Sequence, residues 1–182
     1  MNREDALKLL KKHVTQENLF KHVYAVEAIM EETAKYLNEN PEKWRLLGLL
    51  HDIDFEKAPE PEKHCTLAPE ILGEEFDEEF VRALQSHNFD NLDIKPETKM
   101  ELALIAADAV SGLIIACALV IPSKKLVDVK VESITKKFKQ KDFARNCGRE
   151  RILFCEQIGI PKEKFFEISL KALQSIASDL GL

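Results

Sequence analysis

From Ala103 to Pro122 the chain is almost wholly apolar, yet a single carboxylate, Asp108, lies inside the run, with Ser111-Gly112 just beyond it. A stretch of this length can span a bilayer, but an acidic side chain in its interior is costly there. A helix enclosed on all sides by protein accommodates the same residues at less cost, provided the carboxylate meets a cation or a metal ion. The chain must then wrap other elements around this helix. Its 182 residues, 45% of them hydrophobic, suffice for one globular domain that does so.

The remaining segments carry helical periodicity, and none alternates like a strand over a convincing length. Asn2 is placed to cap a helix over Glu4–Lys12, with Asp5 near its positive end. A long amphipathic helix is expected from Thr15 to Leu37, ending at Asn38. Asn40-Pro41 reads as the cap and first turn of the helix that delivers His51. Pro59 and Pro61 break the chain after Asp52. Helices follow near 64–73, near 77–87 and from Pro96 to Leu119, with a turn at Pro122-Ser123 and shorter helices to about 157. Gly159-Ile160-Pro161 opens a last helix with Phe165, Ile168, Leu170, Leu173 and Ile176 on or near one face. The expectation is an all-α single-domain bundle over 1–182, with 123–182 as a C-terminal helical extension.

The residues that carry chemistry are His22, His51, Asp52, His64, His87 and Asp108. His51 and Asp52 stand side by side at the end of the apolar run Leu46–Leu50. Neighbours cannot share a helix face, but both reach one cation if the last turn unwinds. Imidazole nitrogen with carboxylate oxygen suits a divalent transition metal. The order H…HD…H…H…D resembles the HD superfamily of metal-dependent phosphohydrolases from about residue 18 to about residue 112. Leu50-His51-Asp52-Ile53, His64 with Glu70-Ile71-Leu72, and Ser86-His87 resemble its HDIG-type branch. Asp54 and Phe55 depart from that branch, where Gly and often Lys stand. Asn88 after His87 departs from the His-His of the cyclic-dinucleotide phosphodiesterases.

The resemblance implies an HD-type bundle in which His22, His51, Asp52 and Asp108 hold a first metal. His64 and His87 would complete a second site, with Asp52 as the bridge. Two divalent ions per chain are expected, Fe or Mn favoured, with Zn, Co and Ni compatible. The implied reaction is hydrolysis of a small phosphorylated metabolite, a nucleotide foremost, by a metal-activated water. A di-iron oxygenase built on the same ligands and a non-catalytic nucleotide-sensing module are the alternatives.

The net charge of -6 excludes a general nucleic-acid binder. Yet 123–151 is strongly basic, with ten Lys and Arg against four acidic residues, a distribution that concentrates anionic substrates. Lys124 and Lys125 from this segment, with Lys57 and Lys63 from the loop after Asp52, are the expected substrate contacts. Asp52, Asp54 and Lys57 are the expected catalytic residues, and Asp54 or Glu56 could orient a water or a ligand histidine. Cys65, Cys117, Cys147 and Cys155 show no CxxC spacing. With no secretion signal in Met1–Lys12, a cytoplasmic protein with reduced thiols and no membrane partner is expected.

Overall fold

The apolar run forms the central helix of the bundle. The computed structural model describes residues 1–182, and every regular element in it is helical. The central helix, here α7, spans Lys99–Val120 and is buried on nearly all sides, from Met100 to Ala118. It is long and apolar enough to cross a membrane, but its surfaces face other helices of the same chain. It starts at Lys99 rather than at Pro96 because Thr98 and Glu101 form a capping box. Thr98 accepts the Glu101 N–H, and the Glu101 carboxylate accepts from the Glu97 and Thr98 backbones at 2.6 and 3.0 Å. These bonds satisfy the otherwise orphaned donors of the first turn.

The N-terminal half supplies α1 (Arg3–Leu10), α2 (Glu17–Leu37) and α3 (Pro41–Leu50). Asn2 and Asn40 cap α1 and α3, and Asn38 ends α2 in the left-handed conformation at φ +57°. The α2 helix and α3 form a tight hairpin. Gly48 permits its closeness: a Cβ there would lie 2.8 Å from Glu27 Cα and from the Val26 carbonyl oxygen. The two backbones thus touch one turn before His51.

Helix α2 begins at Glu17, two residues later than Thr15 predicts, and no local side chain caps it. Glu56 does so from 40 residues away. Its carboxylate accepts from the Thr15 and Gln16 N–H groups at 2.7 and 2.8 Å and from the Thr15 hydroxyl at 2.8 Å. A carboxylate is favoured there by the positive end of the helix dipole. The Pro-rich loop leads to α4 (Ala68–Leu72), shorter than the expected 64–73, and then to α5 (Glu78–Ser86, capped by Asp77) and α6 (Phe89–Leu92).

After α7 come α8 (Val131–Phe138), α9 (Arg149–Ile152), α10 (Phe154–Gln157), α11 (Lys162–Ser175) and α12 (Ala177–Leu180). Helices α8 to α11 lie on α7, and α11 also runs against α2. Phe165, Phe166, Ile134 and Leu173 from this half join Val26, Leu47 and Leu104 in one buried cluster. Each such Leu or Ile contributes about 1.5–3 kcal/mol relative to exposure.

Candidate metal centre

Helices α2, α3, α5 and α7, with the loop that carries His64, bring four imidazoles and two carboxylates to one spot. The α2–α3 hairpin sets His22 against His51, with Nε2 atoms 3.1 Å apart. His87 caps the C-terminus of α5, and its Nε2 lies 2.9 Å from that of His64. From the middle of α7, Asp108 Oδ1 stands 3.2 Å from His22 Nε2. Asp52 occupies the centre: its Oδ1 is 3.2–3.5 Å from the Nε2 atoms of His51, His64 and His87, and its Oδ2 is 3.5 Å from His22 Nε2.

The other nitrogens of three of these rings are taken by acceptors outside the cluster. His51 Nδ1–H donates to the Gly48 carbonyl at 2.8 Å and His87 Nδ1–H to the Leu84 carbonyl at 2.6 Å. His64 Nδ1–H donates to Asp54 Oδ1 at 3.1 Å. Neutral rings held this way turn their Nε2 lone pairs inward, where lone pair would face lone pair across 2.9–3.1 Å. A shared cation resolves that conflict. Metal–imidazole bonds of about 2.0–2.1 Å place neighbouring ligands on one ion about 2.9–3.4 Å apart, the spacing seen here. The donor set therefore fits a divalent ion, and the pinned Nδ1 atoms are the outer support that orients such ligands.

Electrostatics point the same way. Burial pushes His51 down to about 4. Burial also opposes charge on His64, but hydrogen bonds to Asp52 and Asp54 outweigh it and push that ring up to about 12. Burial likewise works against ionised Asp52 and Asp108, yet the surrounding histidines hold both carboxyls below their ordinary range. His51 is thus kept neutral and able to ligate, while the carboxylates favour a positive charge at His64, a proton standing where a cation would. His64, Cys65 and His87 also converge, as do His22, His51 and Asp108, and His51, Asp52 and His87. Cys65 Sγ is 3.6 Å from His87 Nδ1, a proximity that no cysteine spacing reveals.

Several residues expected at the chemistry lie elsewhere. Asp54 is fully enclosed, and both of its oxygens are occupied. Oδ1 accepts from His64 and from the Cys65 N–H at 3.1 Å, while Oδ2 accepts from the Leu67 N–H at 3.0 Å. It is thus a support for His64 with no face toward a substrate. It also holds Cys65 at φ +71°, a conformation costing a residue with a Cβ about 1–2 kcal/mol. Lys57 is exposed and meets His13 Nδ1 at 2.9 Å, away from the centre. Lys63 is exposed and pairs with Glu60 at 3.3 Å. Lys124 and Lys125 are exposed beyond the end of α7. At 1.5 Å per residue that end is about 18 Å along the helix from Asp108. None of the four lines the cavity of about 490 Å³ that opens over the centre.

The one Lys or Arg that does line it is Arg151. Its guanidinium donates to the His87 carbonyl at 3.0 Å and to Asp90 at 2.7 Å, and it lies 4.9 Å from the centre of the Phe89 ring. Within the basic run no feature separated Arg151 from its neighbours, because its selection depends on how α9 docks beside α5. Phe55, expected only as a departure from a motif, exposes its ring at the mouth, 5.3 Å from His64. Asn88 works as a staple: its amide donates to the Pro61 and His64 carbonyls at 2.8 and 2.9 Å, tying the Pro-rich loop to α5.

A helical bundle whose core gathers histidines and aspartates from four helices and the loop carrying His64 defines a divalent-metal site of the His/Asp type. The chain matches the HD domain family over residues 19–113, more than half its length and the whole span from His22 to Asp108, and it belongs to that family. Proteins of this family bind divalent metals and are generally metal-dependent phosphohydrolases. No curated protein and no solved structure matches the chain.

Proposed function

We propose that this protein hydrolyses a phosphate ester or anhydride of a small metabolite, a nucleotide foremost, with two divalent ions. The observation that carries the reading is the placement of Asp52 between two imidazole pairs, with one oxygen toward His51, His64 and His87 and the other toward His22. In this reading His22, His51, Asp52 and Asp108 hold the first ion and His64 and His87 the second, with Asp52 shared. Iron or manganese suits the nitrogen–oxygen set. When bound, such ions supply Lewis-acid polarisation of the phosphate and a water of lowered pKa.

The rest falls to the chain. The two carboxylates offset part of the ionic charge, and the Gly48, Leu84 and Asp54 acceptors keep the rings in their inward tautomer. Arg151 stands at the wall as the one cation placed to meet a phosphate oxygen, with donors left beyond its bonds to the His87 carbonyl and Asp90. Phe55 offers a flat apolar face for a nucleobase at the mouth. Water adds to phosphorus as the bond to the leaving oxygen breaks, and phosphate and an alcohol or shorter phosphate are released. A cytoplasmic setting accords with four cysteines that are all free, three of them buried.

The test is elemental analysis of anaerobically purified protein joined to a phosphate-release screen over nucleotides. Two ions per chain with phosphate release supports the reading. Bound iron with oxygen-dependent product and no phosphate would replace it with the oxygenase alternative, and tight nucleotide binding without turnover would replace it with a sensor.

A further inference from the structure

Arg151 also forms a wall of a second, larger pocket. This cavity, of about 620 Å³, is bounded by Phe89, Phe154, Lys141, Arg145 and Arg151, and its lining also holds two carboxylates, Glu150 and Asp90, the latter paired with Arg151. A depression of about 340 Å³ lies between it and the metal centre, sharing His22, Asp108 and Arg151 with the centre and Cys147, Gly148 and Arg151 with the second pocket. The three form one trough.

The cations at the far end of the trough have different duties. Arg149 is spent on the backbone, donating to the carbonyls of Phe138, Ala144 and Cys147 at 3.2, 3.0 and 2.8 Å and to that of Phe143. It thereby holds the 139–148 loop in place, including Ala144 in the left-handed region at φ +45°. Lys141 and Arg145, which that loop presents, are exposed and enter no ion pair or hydrogen bond. Two unpaired cations on a loop shaped by a half-buried guanidinium offer a ready anion site. The edge-packed rings of Phe89 and Phe154, 5.7 Å apart, and the Arg151 guanidinium line the same pocket, surfaces on which a planar base can stack.

We propose that this pocket binds a second phosphate of an elongated substrate, with Lys141 and Arg145 holding that phosphate while the cleaved one lies at the His/Asp centre. The substrate class is then a nucleotide whose phosphates are separated by a nucleoside, such as a short phosphorylated oligonucleotide, ahead of a simple monophosphate. Which phosphate is cleaved rests on the hydrolytic reading above; where the second one binds does not.

Calorimetric titration of the metal-loaded protein with 5′-phosphorylated diadenylate and with adenosine monophosphate tests this, beside hydrolysis of each, read both as phosphate release and as cleavage of the dinucleotide's internal diester. The wild type should bind the dinucleotide about 10-fold more tightly or better, as two charge-assisted contacts allow. Lys141→Ala/Arg145→Ala should erase that preference, and the charge-matched Lys124→Ala/Lys125→Ala should retain it. Equal loss in both double variants would assign the effect to the overall field and overturn the subsite, as would a preference that survives Lys141→Ala/Arg145→Ala or is absent from the wild type. The expected binding pattern with neither phosphate release from either probe nor cleavage of the dinucleotide's internal diester would keep the subsite and remove the hydrolytic reading. Phosphate release with no dinucleotide preference would do the reverse.

Discussion

Replacing Asp54 with Asn separates a positioning residue from a catalytic one. Three N–H donors, from His64, Cys65 and Leu67, converge on its two oxygens inside the protein. Asparagine offers one acceptor oxygen, so at least one donor must face an NH₂ group. A buried donor left unpaired costs about 1–3 kcal/mol, and losing the charge weakens the remaining bonds, giving about 2–4 kcal/mol together. For a chain of this size each kcal/mol moves Tm by about 2–4 °C, so the metal-free protein should melt about 5–15 °C lower. Freed from its acceptor, His64 no longer keeps its inward tautomer, and affinity for one ion should fall about 10- to 100-fold. Scanning calorimetry and metal titration against a competing chelator give both numbers. With metal saturating, kcat should be largely retained. Unchanged melting and metal affinity, or abolished kcat with metal binding intact, would refute the assignment.

Gly48→Ala should destabilise by up to about 2 kcal/mol, because overpacking against the immovable backbone of Val26 and Glu27 costs about 1–3 kcal/mol, against alanine's helix advantage of about 1 kcal/mol; chemical denaturation reads it, and metal affinity should fall as His22 and His51 part. Asp52→Ala should lose most bound metal and all turnover while keeping its helical circular dichroism, whereas His64→Ala and His87→Ala should each lower the metal content toward one ion per chain. Glu56 has its carboxyl held below its ordinary 4.5, chiefly by the Gln16 and then the Thr15 backbone N–H. Its support of α2 is therefore complete above that pH and lost as pH falls through the lower folded value, so Glu56→Gln should flatten the acid side of the stability curve while leaving metal content intact; an unaltered acid limb would exclude this cap.

Properties set by neighbours three or four residues apart could be read directly from the chain. The asparagine caps at Asn2 and Asn40, the helix end at Asn38 and the enclosed helix around Asp108 are of this kind, because capping and periodicity are local. The ligand types were legible too, since histidine and aspartate inside apolar runs have few other uses. Their outer supports were not. Asp54 and Glu56 sit two residues apart in one loop, yet one turns inward to His64 and the other reaches back to the start of α2. Neither the basic run nor the loop after Asp52 carried a sign that Arg151 would line the cavity over the centre while Lys57, Lys63, Lys124 and Lys125 would not. Composition and periodicity determine that helices form and which faces are buried. Which polar side chain meets which depends on how those helices cross, and hydrogen bonds and ion pairs act only over the few ångströms that the crossing fixes.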